Sequence, residues 1–137
     1  MKLLRVGEKG KEKPATLDKS SKIRDLSSHI KDFNSDNLKL ETVSKLKSIN
    51  LDTLPEIKSS ERIGACINRP GKFVAIGLNY SDHAKETGAK TPADPIVFMK
   101  ATSSISGPYD DIEMPKDSSK LDWEVELAIV IGKETKN

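Results

Sequence analysis

The chain has 137 residues, enough for one modest domain or for one domain and part of another. Charged residues make up 32% and aromatic residues 4%, and the net charge of +2 comes without the basic cluster that nucleic-acid binders carry. No apolar run approaches the ~20 residues needed to cross a bilayer, and the N-terminus lacks the apolar core of a signal peptide. We therefore expect a cytoplasmic protein with no nucleic-acid or membrane partner. The single Cys66 excludes an intramolecular disulfide and is expected to be a small buried residue.

The first part of the chain reads as an antiparallel opening followed by a helix. Residues 2–6, 14–17 and 23–26 are predicted to be short strands, because polar turn-forming residues separate them. Apolar residues recur at spacings of two and three over residues 39–49, which predicts an amphipathic helix. These elements predict a small N-terminal domain over residues 1–65.

Beyond that domain, short apolar runs alternate with polar loops. Residues 73–77 and 96–100 are predicted to be strands, largely buried, and residues 80–86 a helix. Asn79 could cap the start of this helix, and Gly88 is suitable for its end. Because strands outnumber helices, the predicted class is α+β and β-rich.

The longest apolar run, residues 123–132, carries two carboxylates one residue apart. Successive side chains of a strand point to opposite faces, so Glu124 and Glu126 would share one face, with an unbroken apolar face behind them. Two like charges about 7 Å apart require neutralisation, and their oxygen ligands favour Mg²⁺ or Mn²⁺, with Ca²⁺ a further candidate. Water, substrate or another carboxylate would have to complete the metal shell. The alternative is an exposed edge strand whose polar face simply carries charge.

Three further residues are candidates for chemistry. His83 and Glu86 lie three apart on the predicted helix, where the carboxylate could orient the imidazole as a general acid or base. The alternative is an ordinary surface pair. Lys100 ends an apolar strand and could hold a substrate carboxylate or stabilise a developing oxyanion. A lysine that merely extends into solvent is the alternative.

These pieces, in this order, resemble the fumarylacetoacetate hydrolase family. The resemblance lies in residues 77–86 (GLNYSDHAKE), 95–100 (PIVFMK), 107–108 (GP) and 122–132 (DWEVELAIVIG). The opening residues 2–7 resemble the small N-terminal domain of bacterial members. Within the family, the likeness is to proteins named ureidoglycolate lyase or 2-hydroxyhepta-2,4-diene-1,7-dioate isomerase.

The resemblance implies a Mg²⁺- or Mn²⁺-dependent enzyme that acts on small oxo-acids or oxo-dicarboxylates by carbon–carbon hydrolysis, decarboxylation or isomerisation. It implies metal ligation by Glu124 and Glu126, a proton-transfer pair of His83 and Glu86, and substrate contact by Lys100. The implied fold is a mixed β-sandwich roll, homodimeric at full length.

Family members continue beyond the acidic strand, where a third metal carboxylate and a further lysine lie. We therefore expect residues 66–137 to be the start of a metal-dependent catalytic domain, and the chain to be a truncated N-terminal portion of such an enzyme. A catalytically inactive fragment and a non-enzymatic interaction module remain the alternatives.

Overall fold

The computed structural model describes residues 1–136, which form two compact units. The first unit combines Met1–Asn68 with the segment from Ser106 onward, and the second is Arg69–Ile105. The first unit contains chain segments that precede and follow the second unit. This division therefore does not test the domain boundary predicted between residues 65 and 66, which stays a prediction.

The first unit contains an antiparallel four-stranded sheet, the N-terminal sheet, whose strands follow one another in chain order. The strands are β1 (Lys2–Val6), β2 (Lys13–Leu17), β3 (Ile23–Asp25) and β4 (Glu56–Ile57). The three strands predicted from the turn residues are confirmed. The fourth has only two residues, too few to show any alternation of apolar and polar side chains.

Two apolar clusters stabilise the first unit, one on each face of β1. Phe33, Leu26 and Leu46 belong to the first cluster, against which Leu3 packs. Val6 belongs to the second. The helix α1 (Leu40–Lys47) buries Leu46, and its bounds confirm the helix predicted over residues 39–49. A 3₁₀ turn, Leu51–Thr53, follows, with Asn50 accepting a hydrogen bond from the Asp52 amide.

The second unit contains the antiparallel strands β5 (Val74–Gly77) and β6 (Ile96–Met99), with the helix α2 (Ser81–Glu86) between them and a 3₁₀ turn, Thr102–Ser104, after them. The elements are confirmed, but their predicted burial is wrong. Every residue of β6 is exposed, because this unit provides neither a third strand nor a facing layer for the two-stranded sheet.

Of three predictions of local detail, two are wrong and one is confirmed. Tyr80, not Asn79, is the N-cap of α2, without a side-chain capping bond, so the predicted cap is displaced by one residue. Gly88 follows the helix with a φ of +67°, a left-handed conformation that favours glycine, so the predicted helix end is confirmed. Cys66 is exposed, so its predicted burial is wrong.

The largest departure concerns residues 123–132, predicted to be a strand. Residues 105–136 contain no strand in the described structure, and Trp123, Val125 and Ile129 are each about four-fifths exposed, at 81%, 78% and 80%. A strand exists only through hydrogen bonds to a neighbouring strand, and none of the strands described pairs with this segment. The prediction of a strand here is therefore wrong for this structure, whereas the β-rich α+β class is confirmed.

None of the helices in residues 1–136 is long and apolar enough to cross a membrane.

Candidate functional site

The two predicted metal ligands lie in the exposed part of the first unit. Glu124 and Glu126 are both solvent-exposed, within a stretch that we call the acidic segment (residues 122–132). Within residues 1–136, no group of three or more His, Cys, Asp or Glu side chains is arranged to hold a metal ion. Carboxylate oxygens are the right kind of ligand for a hard cation, but two of them do not complete its shell.

His83 and Glu86 lie on the short helix α2, which buries only Ala84. Both side chains are exposed, and neither donates to or accepts from the other among the hydrogen bonds of residues 1–136. The His83 carbonyl oxygen accepts hydrogen bonds from the Thr87 amide at 3.1 Å and the Thr87 hydroxyl at 2.9 Å, which hold the last turn of the helix. The helical spacing of three keeps the imidazole and the carboxylate on neighbouring positions.

Lys100 follows β6 and is half-buried. Its backbone amide donates to the Phe73 carbonyl oxygen at 2.9 Å, continuing the pairing of β5 and β6 by one residue. The backbone of Lys100 is thus fixed by the sheet. Lys100, His83 and Glu86 all belong to the second unit, whereas the two glutamates belong to the first.

The best-formed polar cluster of the first unit was not predicted from the sequence. This polar network consists of Arg5, Glu12, Asp32, Arg62 and Asp110. Arg5 is only 4% exposed and donates to both carboxylate oxygens of Asp32, from Nε at 2.6 Å and from Nη2 at 3.2 Å. It also donates to Glu12 at 3.2 Å, so one buried guanidinium joins two carboxylates.

Arg62 forms the second half of the polar network. Its guanidinium donates to Asp110 from Nε at 2.7 Å and from Nη2 at 2.6 Å, and to Glu12 from Nη1 at 2.9 Å. Glu12 therefore lies between two arginines. Two positive and three negative side chains leave the polar network with one net negative charge.

These contacts lower the pKa of each carboxyl group in the polar network. The hydrogen bonds from Arg62, and then from the Gly107 amide, lower the pKa of Asp110 from 3.8 to about 2. Burial would raise the pKa of Asp32 and Glu12, but hydrogen bonds and the nearby arginines outweigh burial and lower both. The pKa of Arg62 is raised by its hydrogen bonds to Asp110 and Glu12. The three carboxyl groups and the Arg62 guanidinium are therefore charged at neutral pH.

The sequence contains a weak signal for the polar network. Arg5 lies within an apolar strand between Leu4 and Val6, and a charge so placed needs a partner. The partner itself is not readable from local pattern, because Asp32 lies 27 residues away.

Comparisons with known proteins show what the chain is similar to. Residues 72–137 match the family model described as the C-terminal domain of fumarylacetoacetate (FAA) hydrolase. Proteins named "Putative hydrolase" from Burkholderia ambifaria and Burkholderia multivorans are 53% and 52% identical over all 137 residues. The chain spans about half the length of these curated relatives, 49% of each.

A solved structure has a fold similar to that of this chain. The crystal structure of a putative HpcE protein from Mycobacterium smegmatis matches 85% of this chain and 41% of its own length, with a TM-score of 0.61 and 23% identity. At 23% identity, this likeness shows that the two proteins share a fold. The predicted resemblance to the fumarylacetoacetate hydrolase family is confirmed over residues 72–137, and the whole chain is similar to about half of longer proteins named "Putative hydrolase".

Proposed function

We propose that this chain is part of a divalent-metal-dependent enzyme that acts on small oxo-acids or oxo-dicarboxylates. One observation carries the proposal: the family match over residues 72–137 contains every candidate residue for metal binding and proton transfer. Within that class we favour carbon–carbon cleavage, decarboxylation or isomerisation, with ureidoglycolate lyase-like chemistry as the finer proposal. We further propose a cytoplasmic location and a homodimer for the full-length protein.

Glu124 and Glu126 would supply two carboxylate ligands to Mg²⁺ or Mn²⁺, with Ca²⁺ a further candidate. Their exposure leaves both side chains accessible to a cation. When bound, such a cation would supply Lewis-acid stabilisation of negative charge on the oxo-acid substrate. The rest of the shell must come from water, substrate or a carboxylate outside the described residues, because no third ligand is grouped with these two in residues 1–136.

His83 would move the proton, either directly or through a water molecule. Its exposure on α2 leaves both ring nitrogens accessible, and Glu86 one turn away can accept a hydrogen bond from one of them. That hydrogen bond would fix the tautomer and make the other nitrogen more basic. The pair thus provides one general acid or base and one residue that orients it.

Lys100 would bind an anionic group of the substrate. Its ammonium group can bind a carboxylate or stabilise an oxygen on which negative charge develops. The hydrogen bond from its amide to the Phe73 carbonyl oxygen fixes the start of the side chain. This role requires a small anionic substrate, in agreement with an oxo-acid.

The metal proposal is tested by calorimetric titration of the chain with Mn²⁺. The wild type is expected to bind Mn²⁺, and Glu124→Gln or Glu126→Gln is expected to lose that binding, because each removes a charged ligand. Glu113→Gln is the matched control, since Glu113 is an exposed carboxylate of the same unit outside the acidic segment. Equal Mn²⁺ affinity in the wild type and Glu126→Gln would contradict the proposal. In the full-length enzyme, Glu126→Gln should abolish metal-dependent activity.

A catalytically inactive fragment is the second candidate, favoured by the lack of a three-ligand group in residues 1–136. The two proposals differ in turnover. A chain that binds Mn²⁺ through Glu126 but converts none of a panel of small oxo-dicarboxylates would support the inactive fragment.

A further inference from the structure

We infer that Arg62 and Asp110 are positioning residues for the acidic segment: their ion pair fixes the place where the chain leaves the N-terminal sheet on its way to Glu124 and Glu126. The inference rests on the proposed function, since it gives these two glutamates a metal-binding role. It adds a contribution from the N-terminal part of the chain, which lies outside the family match over residues 72–137.

Arg62 is held by backbone contacts with the N-terminal sheet. The Gly7 amide donates to the Arg62 carbonyl oxygen at 2.8 Å, and the Gly64 amide donates to the Arg5 carbonyl oxygen at 2.8 Å. Between these two bonds, Ile63 forms an antiparallel bridge with Val6. Residues 62–64 therefore extend the sheet at the free edge of β1, and the Arg62 backbone has a fixed position.

Asp110 is held from both sides. Arg62 donates two parallel hydrogen bonds to the Asp110 carboxylate, at 2.7 and 2.6 Å. This bidentate geometry restricts the orientation of the carboxylate as well as its distance from the guanidinium. The Gly107 amide donates to the same carboxylate at 2.7 Å, and the Asp110 amide donates to the Gly107 carbonyl oxygen at 3.2 Å. The carboxylate thus closes the turn over residues 107–110 and attaches it to Arg62.

Gly107 brings the same turn into close approach with the sheet. A Cβ atom at this position would lie 2.5 Å from the Ile63 carbonyl oxygen, a distance that no side chain could adopt without a backbone shift. The turn therefore lies directly against the strand-like residues 62–64. Since Gly107 is buried whereas most of the segment after it is exposed, the attachment ends at this turn.

The attachment matters because the segment that follows has little structure of its own. Residues 111–136 contain no helix or strand in the described structure. Metal ligands bind well only when the elements that carry them are held near the productive geometry. Fixing Asp110, 14 residues before Glu124, removes part of the conformational freedom that metal binding would otherwise have to restrict.

The chain contains a natural pair of probes for this inference. Trp123 is its only tryptophan and lies in the acidic segment, and Cys66 is its only cysteine, exposed and four residues after Arg62. An acceptor dye on the Cys66 thiol allows time-resolved energy transfer from Trp123 to report the distribution of distances between the acidic segment and the Arg62 region. The measurement is made at neutral pH without metal, on folded protein.

Asp110→Asn and Arg62→Gln are expected to broaden the distance distribution relative to the wild type. Arg62→Lys, which keeps the charge but not the bidentate geometry, should give an intermediate width. Asp18→Asn is the matched control, because it removes another ion pair of the first unit, Asp18–Arg24 at 2.8 Å, which is more buried than Arg62–Asp110 and does not touch residues 106–110. Its distribution should equal that of the wild type, which separates positioning from a general loss of stability.

A wild-type distribution in Asp110→Asn would overturn the inference and leave the proposed function intact. Asp110→Asn should also bind Mn²⁺ more weakly than the wild type. If the wild type binds Mn²⁺ through Glu126 and Asp110→Asn binds it with the same affinity, the inference is overturned. If the wild type binds no Mn²⁺, the proposed function is contradicted instead. The inference about metal positioning is then overturned as well, for any measured distribution of distances.

Discussion

The guanidinium of Arg62 and the carboxylate of Asp110 form two parallel hydrogen bonds across 48 residues of sequence, at 2.7 and 2.6 Å. Arg62 also donates to Glu12, which in turn accepts from Arg5, so the pair belongs to a continuous set of charges around the first strand. Such a set stabilises only while every member is charged and paired, because a buried charge without a partner is costly. The stability of the first unit should therefore depend on pH and on each member of the polar network.

The first prediction concerns Asp110 and acid. Its pKa is about 2 in the folded chain, below the ordinary value of 3.8, so between these values the unfolded chain binds the proton more readily. The contribution of the ion pair to the free energy of unfolding is fully present above about pH 4 and is lost as the pH falls towards about 2. Asp110→Asn should therefore be less stable than the wild type at neutral pH, and the difference should shrink over this range.

Chemical denaturation at a series of pH values measures this difference. Asp111→Asn is the control, because Asp111 is exposed and forms no salt bridge with any described residue. A stability difference between Asp110→Asn and the wild type that stays constant from neutral pH to about pH 2 would contradict the assigned ion pair.

The second prediction concerns Gly107. An alanine Cβ would lie 2.5 Å from the Ile63 carbonyl oxygen and 2.9 Å from an Asp110 carboxylate oxygen, so Gly107→Ala must move backbone or break the turn. We expect it to destabilise the chain by about 1–3 kcal/mol, the usual cost of overpacking. Thermal and denaturant unfolding measure the loss.

Gly71→Ala is the matched control for Gly107. No heavy atom lies within 4 Å of a Cβ built at Gly71, and its φ is not in the left-handed region. Its free energy of unfolding should stay within about 0.5 kcal/mol of the wild type. Equal losses in the two alanine variants would show that the close approach of Gly107 to Ile63 is unimportant.

The third prediction compares a buried and an exposed ion pair. Arg5→Met should cost about 3–5 kcal/mol, because it leaves Asp32 and Glu12 without their shared guanidinium in a buried setting. Lys11→Met should cost about 0–1 kcal/mol, because Lys11 and Glu8 form an exposed pair, at 79% and 78% side-chain exposure. Urea denaturation of both variants tests the ranking, and the reverse order would contradict it.

The N-terminal sheet and the helices were predictable because their signals are local. Strands β1 to β3 are separated by turns within a few residues of each other, and Gly10 and Ser21 adopt positive φ values in two of these turns. The helix α2 was also predicted, although its start was misplaced by one residue because Asn79 is the better capping side chain and Tyr80 is the actual cap. Local pattern fixes such elements to within a residue or two.

The polar network and the acidic segment were not predictable in the same way. Arg5 and Asp32, like Arg62 and Asp110, meet only because the fold brings distant positions together. The alternation over residues 123–132 indicates a strand, but the alternation specifies only which side chains share a face, and the strand also needs a pairing partner. Of the candidate site residues, His83 and Glu86 lie on the predicted helix, and their chemical roles stay predictions.

The last prediction tests the structure of the acidic segment itself. Ile129 is 80% exposed, so Ile129→Lys should leave the free energy of unfolding within about 0.5 kcal/mol of the wild type. The same substitution should reduce self-association measured by light scattering, because it interrupts an exposed apolar surface that includes Val125 and Ile131. Leu46→Ala provides the contrast, since Leu46 is 2% exposed in the core and its truncation should cost about 2–5 kcal/mol. A loss in Ile129→Lys as large as that in Leu46→Ala would show that Ile129 is buried in solution, as the strand predicted from the sequence requires.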